Sequence, residues 1–439
     1  MEILAIIFVN LLTYYKTFDF GLIVDDIRHA EDIKNGYLKD LGIFEHIRRR
    51  FYGVGTLFGR GINNRDEHIF TTVLHTLICV LIYKAFGSNE VSFWASILYA
   101  VNPANNQTAI WLNGRRYAVN IIIVLLMMMS WWFWPLYFLT PMFQVNAIFS
   151  PILIGQWWML AVVMVFGGQK IIDQYRIRQA KCPYDLRREY SWKRLVVVVK
   201  TFGFYCTQML IPRDCKFYYR TMYYWGMTDE GNKDAYRLGQ DFYVGLFSLF
   251  SIFVCGFIVP SVYKGFLVFM TLSILQWSNI VTATQTLADR YMSLPNVFMM
   301  FFLSYFASLT PVYSYLMLGI SVLYYAWNKN AQRMYENIES FYDYHIYHDP
   351  QGVSARAFKA SDAMLNKDWI SAYQISRAGL KYSPDDFRLL YQCALSCYQL
   401  NPANKEATLE YLNKAERNIY FGDKRLPELV RKLREHVKK

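Results

Sequence analysis

The sequence predicts an all-α protein: a polytopic transmembrane helix bundle followed by a small C-terminal domain of helical repeats. Three observations carry this. Apolar runs long enough, or nearly long enough, to cross a bilayer recur from the N-terminus to about residue 327. Only 18% of the 439 residues are charged while 54% are hydrophobic and 18% aromatic, against roughly 25% charged in soluble proteins. From about Ser354 the pattern turns to helices that are polar on one face and apolar on the other.

The apolar runs lie at about 2–20, 69–86, 91–103, 117–134, 136–167, 195–211, 241–259, 262–280, 294–309 and 311–327. The first lacks a basic leader and a small-residue cleavage site, so it reads as an uncleaved span. Pro135, Pro141 and Pro151 interrupt 117–167, and half-spans are tolerated where they line a cavity. The basic stretch 168–200, with Arg176, Arg178, Arg187, Arg188, Lys193 and Arg194 among its cations, reads as a positive-inside loop. With a cytoplasmic N-terminus, three crossings within 117–167 put that loop inside and give about eleven crossings in all. The loops after residue 20, at 102–116, 212–240 and 281–293, and the C-terminal region, then share the outer side.

The net charge of +12 is first accounted for by positive-inside loops rather than by nucleic acid, and no nucleic-acid motif occurs. The 35 Tyr, 32 Phe and 12 Trp suit membrane interfaces. The seven cysteines give no disulfide framework. Cys393 and Cys397 lack the second ligand pair that a zinc site needs and read as small core residues. The chain divides into a membrane part, 1–330, and a repeat part, 354–439, whose basic tail from Arg425 reads as a solvated face, with anionic headgroup contact as the alternative. In the repeat part, helix pairs turn at Tyr382-Ser383-Pro384, and Ala372 and Ala407 occupy matching places near the tetratricopeptide period of about 34 residues.

Polar residues that could carry chemistry gather in four of the outer segments. The first holds the adjacent carboxylates Asp25 and Asp26, with Arg28 and His29 behind them. Charges at the edge of an apolar run are costly unless they face water, a cation or a substrate, and a carboxylate is what a hydroxyl nucleophile needs for deprotonation. The second is His68 and His75, seven apart and so on one helix face. The third runs Asn102-Pro103-Ala104-Asn105-Asn106-Gln107 and on to Trp111 and Asn113-Gly114-Arg115-Arg116. The fourth is Ala288-Asp289-Arg290-Tyr291-Met292-Ser293-Leu294-Pro295. Arginine is suited to bidentate phosphate binding. Each group also has a plainer reading: a solvated linker for the carboxylates, packed imidazoles for the histidines, interfacial anchors for Arg115 and Arg116, and a local ion pair for Asp289-Arg290. Asn106-Gln107-Thr108 matches an N-glycosylation acceptor, which is discounted so close to these residues.

Taken together, the segments resemble the membrane O-mannosyltransferases that carry tetratricopeptide repeats, members of the GT-C class of polytopic glycosyltransferases. Asp25-Asp26 with Ala30 and Asn35 is similar to that family's first loop. His68 to His75 is similar to its H-x6-H, residues 102–116 to its H-P-x-H-x-E…W-x-x-G-R, and 288–295 to its A-E-R-Y-x-Y-L-P. The resemblance covers most of the chain, although 120–280 agrees only in hydropathy. Asn102, Asn105 and Gln107 stand where the family has two His and a Glu, and Asp289 stands for a Glu.

The resemblance implies transfer of a sugar from a polyprenyl-phosphate donor to a hydroxyl, most simply Ser or Thr of an exported protein. It implies Asp26, narrowly ahead of Asp25, as general base, and Arg115, Arg116 and Arg290 on the lipid phosphate. His68, His75, Asn102, Asn105, Gln107, Asp289 and Tyr291 would position donor or acceptor. The repeats would bind acceptor polypeptide or a partner; the partners implied are the polyprenyl-phosphate sugar, an acceptor polypeptide or glycan, and membrane lipids. A lone phosphate donor makes little demand for a metal, so no cofactor is expected, the alternative being a divalent cation at Asp25 and Asp26. The compact length and few repeats favour a bacterial inner membrane over endoplasmic reticulum. Two rival readings are a transporter or flippase of lipid-linked sugars and an inactive scaffold that presents the repeats.

Overall fold

A computed structural model of the chain describes residues 1–34, 63–140, 147, 149–156, 158–159, 192–213, 215–217, 237–278, 287–350, 352–417 and 426–438. The described residues are all-α: helices and short 3-10 segments joined by turns, with no strand among them. In the membrane part the helices of ten residues or more are α1 (Glu2–Tyr14), α2 (Asp25–Lys34), α3 (Asn64–Ala85), α4 (Glu90–Val101), α5 (Arg115–Met129), α6 (Trp192–Leu210), α7 (Gln240–Ile258), α8 (Ser261–Trp277), α9 (Ser293–Ala307) and α10 (Tyr313–Gln332).

Local chemistry sets several boundaries. The Asn63 side chain accepts from the Arg65 N–H at the start of α3. Asn89 and Ser92 form a reciprocal capping box at the start of α4. Between these helices the chain turns through Gly87 at φ +101 and Ser88 at φ +54. Where α6 and α7 cross, a Cβ on Gly203 would meet the Gly245 Cα at 2.5 Å, and one on Gly245 would meet the Val199 carbonyl oxygen at 2.1 Å. Only glycine lets the backbones come this close.

One end of the bundle is fixed by polar contacts between helix ends. The Asn328 amide donates to the Tyr14 hydroxyl at 3.2 Å and to the Val101 carbonyl at 3.0 Å. The Asn102 amide donates to the Met209 carbonyl at 3.0 Å, and the Tyr324 hydroxyl to the Leu210 carbonyl at 2.6 Å. The Tyr99 hydroxyl reaches the Ser293 carbonyl at 3.2 Å. The ends of α1, α4, α6 and α10 therefore meet the start of α9. At the opposite end, the Ser314 hydroxyl donates to Glu90 at 2.9 Å and Ser304 to the Val91 carbonyl at 2.8 Å. All the described segments singled out from the sequence lie toward the first end, except the more deeply placed His75.

Among the described residues, three helices can cross a membrane by length and composition: Asn64–Ala85, Leu112–Met129 and Gln240–Ile258. Glu90–Val101 and Ser293–Ala307 are apolar but shorter. Trp192–Leu210, Ser261–Trp277 and Tyr313–Gln332 are continuous helices over three further expected spans, whereas two expected spans are broken for visible reasons. The first ends as an α-helix at Tyr14 and tightens to a 3-10 turn, Tyr15–Asp19. The run beyond Met129 is not a continuous α-helix: Trp131–Leu139 is a 3-10 segment with Pro135 inside it, and Ser150–Ile154 is another, closed by Gly155 at φ +68. The basic stretch expected to be a loop to residue 200 is helical from Trp192, and Arg194 and Lys200 are buried; 168–191 lie outside the described residues. On α7, Tyr243, Phe247, Phe250, Phe253 and Phe257 are each more than half exposed, as a lipid-facing helix would be.

The C-terminal part comprises α11 (Ile338–His348), α12 (Val353–Leu365), α13 (Trp369–Leu380), α14 (Phe387–Leu400), α15 (Lys405–Arg417) and α16 (Leu426–Lys438). From α12 onward each helix packs against the next, and α12 also packs on α14 and α14 on α16. The two pairs begin at Val353 and Phe387, one period of about 34 residues apart. Asp386 caps α14 by accepting from the Arg388 and Leu389 N–H groups. The buried partner of Ala372 in the second pair is Thr408; Ala407 is only half-buried. Both Ala372 and Thr408 are the fourth residue of their helix, so the sequence register was one residue off. The basic tail is more than a solvated face: Val430, Leu433 and Val437 pack on Ala394 and Leu412, closing the array. Cys393 is buried in the repeats and Cys397 partly so, both as free thiols.

Candidate functional site

The carboxylate pair is placed by a turn that its own residues strain. The Gly21 N–H donates to the Glu336 carbonyl at 2.8 Å, tying the chain to the junction before α11. Val24 then takes φ +48, an unfavourable conformation for a β-branched residue that costs on the order of 1–3 kcal/mol. Asp25 and Asp26 follow in the first turn of α2, where carboxylates suit the positive helix end.

The two carboxylates have different surroundings. Asp26 is 1% exposed. Its oxygens accept from the Leu112 N–H at 3.3 Å and the Asn113 N–H at 3.1 Å. Burial pushes its pKa up to about 8, against the opposing pull of those two bonds and of Arg115. Asp25 is exposed, and the Asn113 side-chain amide reaches it at 3.5 Å. The loop over Asp26 depends on Gly114: a Cβ there would meet the Gln107 carbonyl oxygen at 1.9 Å. The side chains of Arg28 and His29, and Asn35, lie outside the described residues.

Arg115 does not face a ligand. Fully buried, it pairs with Glu67 at 2.6 Å, donates from Nε to the Thr71 hydroxyl at 2.8 Å and from Nη2 to the Glu67 carbonyl at 2.6 Å, and stacks over Phe70. This joins α5 to the first turns of α3. The expected phosphate role of Arg115 gives way to a structural one, because a guanidinium so engaged has its donors directed inward. Arg116 is half-buried, 5.2 Å from the Tyr117 ring centroid.

Arg290 occupies an aromatic cage. Its guanidinium lies 5.4, 5.8 and 5.0 Å from the ring centroids of Trp111, Phe217 and Tyr291. Nη1 donates to the Gln107 side-chain oxygen at 3.0 Å, and the Gln107 amide donates to the Lys216 carbonyl at 3.1 Å. Tyr291 is itself held flat on Trp277 at 4.0 Å between centroids. Asp289 is buried beside it.

The other expected residues divide between this site and the packing beneath it. His68 is buried with its ring edge-on to Phe20. His75 lies deeper, its Nδ1 2.8 Å from Asn10 Oδ1 and its ring stacked on Tyr99. Asn102 caps the 3-10 turn Pro103–Asn105 by accepting from the Ala104 N–H. Asn105 donates to the Tyr99 carbonyl at 2.8 Å and accepts from Asn296 at 3.1 Å. His75, Asn102 and Asn105 thus hold helices together rather than face the carboxylates. Asn106 and Thr108 are buried, which bars glycosylation of that acceptor motif in the folded chain. Among the described residues no group of three or more His, Cys, Asp and Glu is placed to hold a metal ion.

Glu67, Trp111 and Phe217 matter to the site more than the sequence suggested. Trp111 belongs to a segment already singled out and Glu67 adjoins another, whereas Phe217 carries no local sign. Comparison of the chain with protein-family models, curated proteins and solved structures found no match.

Proposed function

We propose that the protein is a multi-pass glycosyltransferase of the GT-C type that moves a sugar from a polyprenyl-phosphate donor to a hydroxyl, most simply Ser or Thr of an exported polypeptide, on the non-cytoplasmic face. About eleven crossings, tetratricopeptide-like repeats that receive the acceptor, and a bacterial inner membrane belong to the same proposal. The observation that carries it is convergence. Asp25 and Asp26 meet the 111–114 loop, and Arg290 stands against Trp111 of that loop, at one end of an apolar bundle.

In this proposal the base is Asp25 rather than the expected Asp26. Asp26 is enclosed and both its oxygens are engaged by backbone N–H groups, so it braces the loop. Asp25 is open and serves as the base. It takes the proton of the acceptor hydroxyl as that oxygen forms its bond to the anomeric carbon. The bond from that carbon to the phosphate oxygen breaks, and the polyprenyl phosphate leaves with the electron pair. Arg290, with Arg116, stabilises the charge that grows on the leaving phosphate. The caged guanidinium is pre-oriented, which lowers the cost of ordering it when the donor arrives.

A chain of polar side chains, half-buried Thr76 with buried Asn10 and His75, favours a second reading, an ion-coupled transporter. Against it, the charged residues of the candidate site gather at one bundle end rather than midway. Incubating purified protein with a radiolabelled polyprenyl-phosphate sugar separates the two. Label transferred to peptide, or donor hydrolysis that Asp25→Asn abolishes, supports the transferase. Label moved across a sealed vesicle with no covalent product supports transport and overturns it.

A further inference from the structure

The outer ends of α1 and α10 carry two cations that the site above does not use. The Lys329 ammonium donates to the Thr13 carbonyl and to the Gln332 side-chain oxygen at 3.4 Å. It lies 5.4 Å from the ring centroids of both Tyr15 and Tyr325. Gln332 is held in turn by the Thr13 carbonyl at 2.9 Å and Asn328 Oδ1 at 2.7 Å, so the seat is rigid. Lys16, on the adjoining 3-10 turn, is exposed and within electrostatic reach of Lys329. Among the described residues no carboxylate lies within ion-pair distance of either lysine; the nearby Asp19 faces Arg65 at 3.9 Å.

Beneath the two lysines the same helices are bare and apolar. Leu4, Phe8, Leu11 and Leu12 of α1 are exposed, as are Leu318 and Val322 of α10. A cationic pair at the polar end of an apolar, two-helix face is complementary to an amphipathic anion. The plainer account, two interfacial anchors, explains one snorkelling lysine but not two like charges within electrostatic reach of each other with no carboxylate at ion-pair distance among the described residues.

We infer that Lys16 and Lys329 form a binding site for the phosphate of an anionic phospholipid, whose acyl chains lie along the exposed faces of α1 and α10. The site shares no residue with the Arg290 cage and does not depend on the glycosyltransferase reading.

The test uses the full chain in detergent, with phosphatidylglycerol, phosphatidylcholine and inorganic phosphate as probes and retained lipid read by native mass spectrometry. With each lysine worth about one headgroup contact, the wild type should retain phosphatidylglycerol roughly 10- to 30-fold better than Lys16→Gln/Lys329→Gln. It should show little preference for phosphatidylcholine. Lys16→Gln alone, at an exposed position, should lose part of the binding with unchanged thermal stability, and Lys16→Arg/Lys329→Arg should restore it. Equal retention by wild type and the double glutamine variant overturns the site. Displacement of the lipid by millimolar inorganic phosphate overturns the assignment to a lipid and leaves a free-anion site.

Discussion

At the scale of single residues, Asp25 and Asp26 are adjacent in the chain and unequal in space. Replacing Asp25 by Asn removes the proton acceptor while leaving the buried brace in place. Transfer should fall at least roughly 100-fold with donor affinity nearly unchanged, measured as turnover and donor binding on folded protein. Asp26→Asn should be graded. Its side-chain amide can accept one of the two backbone N–H groups and must turn an N–H donor toward the other, at a cost of about 1–3 kcal/mol. The pH dependence has a definite sign. Asp26 keeps its proton to about 8 in the folded protein, against 3.8 as the ordinary value. The unfolded chain therefore holds fewer protons than the folded one across that window, and wild-type stability declines as pH rises through it. The stability gap between wild type and Asp26→Asn should narrow from pH 5 to pH 8 in thermal unfolding. A gap that does not change with pH would mean that Asp26 is ionised throughout. Gly114→Ala should disable the same loop, since its methyl group has no room beside the Gln107 carbonyl. A variant with wild-type turnover would show that the loop can move without consequence.

At the scale of elements, the Glu67–Arg115 pair decides how α3 and α5 meet. Removing one partner strands a buried charge, so Glu67→Gln or Arg115→Met alone should destabilise by about 3–5 kcal/mol. The joint change Glu67→Leu/Arg115→Met should recover much of this, because neither charge then remains buried. Thermal unfolding of the four proteins gives the coupling directly, and strict additivity would show that the pair is not coupled. These residues also mark how far the sequence could be read. Glu67 in a helix first turn looks like a partner of the helix end, and nothing local announces a cation 48 positions on. Asn102 and Asn105 read as site residues because they stand where the resembled family has His; in the fold their amides bond to Met209, Tyr99 and Asn296, contacts that no local pattern announces. The adjacent carboxylates, by contrast, were legible. Charge that close to an apolar run needs a reason that does not depend on tertiary context. Hydropathy also marked where apolar helices lie but not where they break, as the 3-10 segment around Pro135 shows.

At the scale of the whole molecule, α11, which leads into the repeats, meets the site at the His345 imidazole and the His348 carbonyl. The His345 Nδ1–H donates to the Phe341 carbonyl at 2.7 Å, and Nε2 accepts from the Phe217 N–H at 3.0 Å. Only the neutral ring, in that tautomer, can do both. Phe217 is one wall of the Arg290 cage, and next to it Lys216 donates to the His348 carbonyl at 3.0 Å. Burial pushes the His345 pKa down to about 4 from 6.5, although the Phe341 carbonyl pulls it the other way, and Lys216 and His348 add cationic repulsion. Between those values the unfolded chain takes up a proton that the folded one refuses. The stability held at this contact is therefore full above about pH 6.5 and declines as pH falls toward about 4, by on the order of 1–2 kcal/mol between pH 7 and pH 5. Protonation would also set an N–H against the Phe217 N–H and loosen the cage wall. Wild type should thus lose thermal stability from pH 7 to pH 5, and donor affinity with it, while His345→Phe, weaker at pH 7, should change much less over the same interval. If both proteins respond equally to acid, the sensitivity arises elsewhere, and the contact between α11 and the Phe217 segment is only a packing seam.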